Sequence, residues 1–478
     1  MKTNRMTMKI KAVIILILIV APMLFIASTK EKTQPNQRPN ILFFLVDDQR
    51  NDMLSCAGHS IIQTPTVDSL AENGVRFTNA FVTTSICAAS RASIITGLYE
   101  KKHEYTFGKD PINSEYVHQS YPYLLKKSGY KTGFIGKFGI RLEKQDSMLP
   151  EMFDLYKPSP KSGPHFIDLP DGSKRHSAEI KGDQAIDFIN HQSVEQPFCL
   201  SISFNAVHAV DGNKTPGNDG HYPYPKAVAH LYEDIEMPLP ELSDPEIFEN
   251  HPEFMKNSLS RERYFWRWDT PEKYQTNMRA YYRMISGYDQ VMKRVLSVLK
   301  EKGLDQNTII IFAADNGYYM GNRGFAGKWS HYEESLRIPL VIYDPRNPQD
   351  TRGKTNDQVA LNIDIPASIM DYAGLSQPDL YQGASLLPLL NNEKVENWRT
   401  EFLCEHRMEH QQIPKYVGIR GEQYVYANYY EQVPPYEYLH DLKADPKQLE
   451  NLALRKDYNT LLEKMRNKCD SLELAVSK

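Results

Sequence analysis

An α/β fold is predicted: a large domain whose central sheet is mostly parallel and flanked by helices, then a smaller domain with an antiparallel sheet and a closing helix. Three observations predict it. Continuous apolar runs at 41–46 and 308–314 suit strands buried on both faces. Stretches with helical spacing separate these runs, as in a parallel sheet whose crossovers are helices. After Gly374 helical spacing weakens and tyrosines gather, at Tyr416, Tyr424, Tyr426, Tyr429, Tyr430, Tyr436 and Tyr438.

In chain order, the first segment stands apart. Lys2, Arg5, Lys9 and Lys11 precede an apolar run from Ala12 to Ile26, followed by small and polar residues. This is the pattern of a secretory signal peptide over 1–27, with a membrane anchor as the alternative. The expected location is therefore exported, periplasmic or secreted. A polar linker leads to the strand at 41–46. A helix over 67–73 stops at Gly74. Further strands are expected at 134–135, 198–204 and 340–343. A long helix from about 272 to 302 carries Tyr288, Val291, Val295, Val298 and Leu299 on one stripe and ends at Gly303. Another helix over 365–373 stops at Gly374. Residues 205–270 are rich in proline and histidine with little periodicity, a length of irregular chain that is usually functional. These elements group as a larger domain over 38–373 and a C-terminal subdomain over 374–478 with its closing helix near 458–472.

The 478 residues are enough for two domains and a large core. Loss of 1–27 removes four positive charges and no negative ones, and the formal charge moves from -4 to -8. So acidic a chain is a poor general binder of nucleic acid. The cysteines Cys56, Cys87, Cys199, Cys404 and Cys469 are too widely spaced for a disulfide-dense scaffold.

Two strands end in metal-binding chemistry. The run 41–46 leads into Asp47-Asp48, and the run 308–314 into Asp315-Asn316-Gly317. Ligands bind beyond the carboxyl ends of strands in such sheets. Three carboxylates and an amide oxygen on one edge suit Ca²⁺ or, less well, Mg²⁺, while no Cys/His spacing suits zinc. Either pair alone could instead cap a following helix. Cys87 lies in Thr84-Ser85-Ile86-Cys87-Ala88-Ala89-Ser90-Arg91, a small-residue run opening a helical stretch that closes at Gly97. Amides at a helix start favour an anion beside residue 87, and Arg91 faces the same way one turn on. Lys137 follows a short strand, Lys328 follows the second metal pair, and His208 ends another strand-loop step. Taken singly, each of these reads better as a solvated surface cation or a structural histidine than as a functional group.

Together these residues closely resemble the type I formylglycine-dependent sulfatases of the alkaline phosphatase superfamily. The resemblance runs from Arg38 to about Ala453. It covers Arg38-Pro39-Asn40-Ile41-Leu42, Asp47-Asp48, Thr64-Pro65, Leu70-Ala71, Cys87-Ala88-Ala89-Ser90-Arg91 with Thr96-Gly97, and Gly136-Lys137. It continues through Asp315-Asn316-Gly317, Gly327-Lys328-Trp329 and Tyr332-Glu333-Glu334-Ser335 to Asp441-Leu442, Asp445-Pro446 and Asn451-Leu452-Ala453. The resemblance implies that a maturation enzyme converts Cys87 to formylglycine, whose hydrate attacks sulfur and forms a covalent sulfo-enzyme. It implies one Ca²⁺ per chain on Asp47, Asp48, Asp315, Asn316 and residue 87. Arg91 would hold the hydrate and a metal-side carboxylate, Lys137 and Lys328 the sulfate oxygens, and His208, alone or with Lys328, would protonate the leaving oxygen.

The chain departs from the family pattern at Gly139, where many members have a histidine that serves the elimination step. His103, His331 or water are the substitutes open to it. His208 also lacks the usual flanking prolines. The group Arg261, Arg263, Tyr264, Trp266, Arg267 and Trp268 combines aromatic faces for sugar rings with cations for carboxylate or sulfate, or else is a packed insertion. His221 and the stretch from Tyr222 to Pro225 could also shape the pocket. The expected substrate is a sulfated oligosaccharide or polysaccharide, such as ulvan or another algal glycan, or a glycosaminoglycan. Rival readings are a phosphodiesterase or phosphonate hydrolase of the same superfamily, and an inactive sulfatase-like glycan-binding protein.

Overall fold

The apolar run after Pro39 forms strand β1 (Asn40–Val46), buried along its whole length. The computed structural model describes residues 38–478 apart from 160–162, 215–219, 392 and 394, so the expected signal segment lies outside the described residues. The other strands of the main sheet are β2 (Val75–Phe77), β3 (Lys131–Gly136), β4 (Leu155–Pro158), β5 (Phe198–Ser203), β6 (Thr308–Ala314), β7 (Leu340–Tyr343) and β8 (Lys354–Asn356). Their spatial order is β8-β2-β7-β6-β1-β5-β3-β4. β1 pairs in parallel with both β5 and β6, with Phe43 beside Ser201 and Ile311. These three central strands are buried throughout. Each large apolar side chain gains about 2 kcal/mol over exposure, which makes this the anchor of the fold.

The reversed strand is β7, antiparallel to β6 and β2. A parallel return needs a long crossover. Between β6 and β7 the chain holds only short helical pieces, Asn322–Gly324 and Glu333–Leu336, and no crossover helix, and β7 returns antiparallel.

The principal helices are α1 (Pro65–Asn73), α2 (Cys87–Thr96), α3 (Ser177–Asn190), α4 (Leu259–Arg267), α5 (Pro271–Glu301), α6 (Asp364–Tyr372) and α7 (Asn459–Ser477). The longest, α5, starts at Pro271 with the Thr270 side chain accepting from the Lys273 N–H. Its buried Asp289 accepts from the Thr66 and Val67 N–H groups and so caps α1. The stretch 205–270 is less irregular than expected, holding Pro245–Glu249, Glu253–Lys256 and α4.

The tyrosine-rich end forms an antiparallel sheet of β9 (Glu401–His406), β10 (Tyr416–Gly421), β11 (Tyr424–Tyr429) and β12 (Tyr436–Asp441), paired in that order, with α7 packed on it. It is tied to the segment after Lys328. Tyr416 Oη donates to the Ser330 carbonyl at 3.0 Å, Arg420 pairs with Glu333 at 3.0 Å, and Tyr429 Oη meets His331 Nδ1 at 2.9 Å. Pro39–Lys478 forms one compact unit. Among the described residues no helix is long and apolar enough to cross a membrane.

Candidate active site

Three strand ends deliver the acidic cluster. Asp47 and Asp48 follow β1, Asp315 and Asn316 follow β6, and the segment after β5 carries His208. All are buried. Asp48 sits in the left-handed region (φ 57°), a cost accepted where a side chain must be aimed. Its N–H donates to Asp315 Oδ1 at 3.2 Å, its carbonyl accepts from Tyr281 Oη at 2.9 Å, and its Oδ1 accepts from Asn316 Nδ2 at 2.7 Å. Helix α5, through Tyr281, thus helps fix the strand end.

Three cations and a histidine meet these carboxylates. Lys137 pairs with Asp47 and Lys328 with Asp48. Arg91 Nε donates to Asp315 Oδ2 at 2.7 Å, and its Nη1 donates to the Lys137 carbonyl at 2.6 Å and to Ser203 Oγ at 2.5 Å. Its Nη2 lies 3.7 Å from Asp47. His208 Nε2 lies 3.7 Å from Asp48 and 3.9 Å from Asp211. The His208 Nδ1 faces the Ala209 carbonyl at 2.7 Å, so that nitrogen carries a hydrogen and Nε2 is the one turned to the site.

The charges respond to one another. Burial would raise the Asp47 carboxyl, but Lys137, His208, Arg91 and Lys328 outweigh it and hold the group far below the usual range. Burial, reinforced by Asp47, lifts Asp315 to about 6 against the pull of Arg91. Burial lowers His208 against the opposing pull of Asp48 and Asp47. Burial also pushes the Cys87 thiol up, despite Lys137 and Lys328. Cys87 is therefore held as a thiol, and a bare thiolate nucleophile does not suit this site.

Cys87 opens α2, every residue of which is buried, and faces a cavity of about 270 Å³. Lys137, Gly139, His208 and Lys328 line the same cavity, joined by Asp211, Arg263, Phe107, Trp329 and His410. The positions singled out around Cys87 and at the two strand ends thus share one place. The substitutes considered for the Gly139 histidine do not line this cavity. His103 accepts from the Tyr105 N–H at 3.0 Å and meets Ser93 Oγ at 3.1 Å. His331 packs between Tyr429 and His440.

The basic-aromatic group divides. Arg263 alone of the six lines the cavity. Arg261 stacks on Phe248 and donates to the Gly324 carbonyl, while Arg267 and Trp268 are buried. His221 is buried against Asn277 and Asn213, and Tyr222 packs on Trp268. Asp211 was missed in the sequence, although an acid three residues after His208 was a signal. Trp329 was visible only as part of a motif.

The donor set fits a hard cation. Asp47 Oδ1 and Asn316 Oδ1 are buried oxygens without a hydrogen-bond partner. An orphaned carboxylate oxygen in a buried site is costly unless something positive meets it. Asp47, Asp48 and His208 also lie close enough together to share an ion. The oxygens of Asp47, Asp48, Asp315 and Asn316 suit Ca²⁺ better than a set including the imidazole.

A central sheet carrying an acidic cluster at its strand ends, with lysines and a buried helix start facing it, defines a hydrolase site for a charged ester. The Sulfatase family profile matches residues 39–375, and the profile of the N-sulphoglucosamine sulphohydrolase C-terminal region matches 321–475. The chain belongs to the sulfatase family, whose members are sulfuric ester hydrolases. It is 28% identical to an N-acetylglucosamine-6-O-sulfatase of Bacteroides thetaiotaomicron, over 93% of this chain and 88% of the relative. Its fold resembles a solved structure in complex with its substrate D-glucosamine-2-N,6-O-disulfate (TM-score 0.78, 24% identity, 92% and 98% coverage). It also resembles a phosphonate monoester hydrolase of Agrobacterium radiobacter (TM-score 0.75, 21% identity, 92% and 96% coverage).

Proposed function

We propose that this protein hydrolyses a sulfate ester on a saccharide, using formylglycine made from Cys87 by a maturation enzyme and a Ca²⁺ held by Asp47, Asp48, Asp315 and Asn316. The observation that carries the reading is the shared cavity: residue 87 faces Lys137, Lys328 and His208 at the edge where the acidic strand ends meet. The ion would supply a Lewis acid for a sulfate oxygen. The hydrated aldehyde at residue 87 would offer a hydroxyl aimed at sulfur. Lys137 and Lys328, fixed by Asp47 and Asp48, stabilise charge on the sulfate oxygens. His208, with Nε2 turned inward and Asp48 and Asp211 nearby to offset part of the burial that disfavours its protonated form, gives a proton to the leaving oxygen. Arg91 holds Asp315 and the Lys137 backbone in register.

Saccharides are supported by the relative that acts on N-acetylglucosamine 6-O-sulfate groups, as its name states. Ulvan fragments and glycosaminoglycan fragments are the two substrate panels to compare. The basic-then-apolar start of the chain supports export. The test is free sulfate released from positional isomers of sulfated sugars, with a phosphodiester and a phosphonate ester alongside. Sulfate release from a sugar supports the reading. Turnover of the phosphorus esters alone would replace it with a hydrolase of the other kind, and glycan binding without any turnover with an inactive binder.

A further inference from the structure

The cavity wall carries a further cation that sulfate cleavage leaves unused. Arg263 projects from α4 into the cavity. Its Nη2 donates to Asp211 Oδ2 at 2.8 Å, and its guanidinium lies 4.9 Å from the centre of the Trp329 ring. The Asp211 carboxylate is shared. Arg267 takes Oδ1 at 2.7 Å and turns its Nη1 to Tyr318, away into the interior. One carboxylate cannot neutralise two guanidinium groups, and Glu262, the only acid on α4, is engaged by Lys214 and Gln412. A positive charge therefore stays at the cavity wall. Arg263 Nε is buried there with no hydrogen-bond partner. A buried donor in that state favours an acceptor delivered by a ligand. Around it the wall is apolar, formed by Trp329, Ile86, Leu259 and Ile413, a face for the C–H side of a sugar ring.

We propose that Arg263 is a specificity residue that receives a second acidic group, a carboxylate or a further sulfate, on the sugar whose sulfate ester is cleaved. The inference rests on the sulfatase reading of this site. A planar guanidinium stacked on Trp329 is pre-set to bind such an oxyanion.

The test compares the mature wild type with Arg263→Gln and Arg263→Lys. The probes are N-acetylglucosamine 6-sulfate, glucosamine 2-N,6-O-disulfate, a sulfated uronic acid and 4-nitrophenyl sulfate. The wild type should prefer a doubly acidic sugar by about tenfold or more in kcat/KM, with the gain in KM. Arg263→Gln should bring that ratio near one, and Arg263→Lys should keep part of it. The disulfate and uronate arms tell a sulfate from a carboxylate. An equal rate on singly and doubly acidic sugars, or an unchanged ratio in Arg263→Gln, would overturn the proposal. So would an equal loss on every probe, which would make Arg263 only a prop for Asp211. If the wild type frees sulfate from no probe, the sulfatase reading itself fails and this inference with it.

Discussion

Lys328 and Lys137 are each tied to one strand-end carboxylate, so each removal has two effects. It deletes a positive charge lining the cavity and leaves a buried carboxylate unpaired. Lys328→Ala should lower kcat by about 10²-fold or more, measured as sulfate release at saturating substrate. At Gly139 the backbone is left-handed (φ +76°), and an added Cβ would lie 2.8 Å from Arg91 Cδ. A histidine there has no strain-free place. Gly139→His should therefore reduce kcat/KM rather than raise it, by about tenfold or more, because Arg91 must shift. A gain in activity would show that the family's usual histidine can be restored. The residues after β1 and β6 were legible because an acidic or amide-bearing pair at the end of an apolar run is a local signal. Asp211 and Trp329 were not, because their nearness to residue 87 depends on how distant segments approach.

Among the elements, α3 holds a feature with a measurable cost. Lys181 is 3% exposed, and its ammonium finds only the Ser177 carbonyl of the same helix, at 3.4 Å. Burial pushes its pKa down to about 7. In the unfolded chain the same group keeps its proton up to about 10.4. Between these values the unfolded state binds more protons, so stability climbs with pH across that window. Lys181→Met should raise the thermal midpoint at pH 6 by several degrees, and the gain should shrink towards zero near pH 10. A pH-independent difference would assign the effect to packing. The central strands β1 and β6 were readable because burial on both faces forbids polar alternation. Strand β2 and the edge strand β8 have three residues each, too few for a pattern, and no local pattern marks the reversed direction of β7.

Over the whole molecule, the change of texture at Gly374 marks a change of sheet type rather than a loss of contact. Tyr416, Arg420 and Tyr429 bind the segment that follows Lys328. The C-terminal sheet therefore buttresses the segment that follows one of the two cavity lysines. Calorimetry should show the described chain unfolding in one transition, with sulfate release lost at the same temperature. Two transitions separated by more than a few degrees would show that the C-terminal sheet is an independent body.

The central claim is that residue 87 is an oxidised side chain in the working enzyme, and peptide mass spectrometry reads it directly. Protein that frees sulfate should yield the peptide spanning residue 87 lighter by the mass of a thiol-to-aldehyde conversion, in proportion to its activity. Fully active protein whose residue 87 is an unmodified thiol throughout would contradict the account.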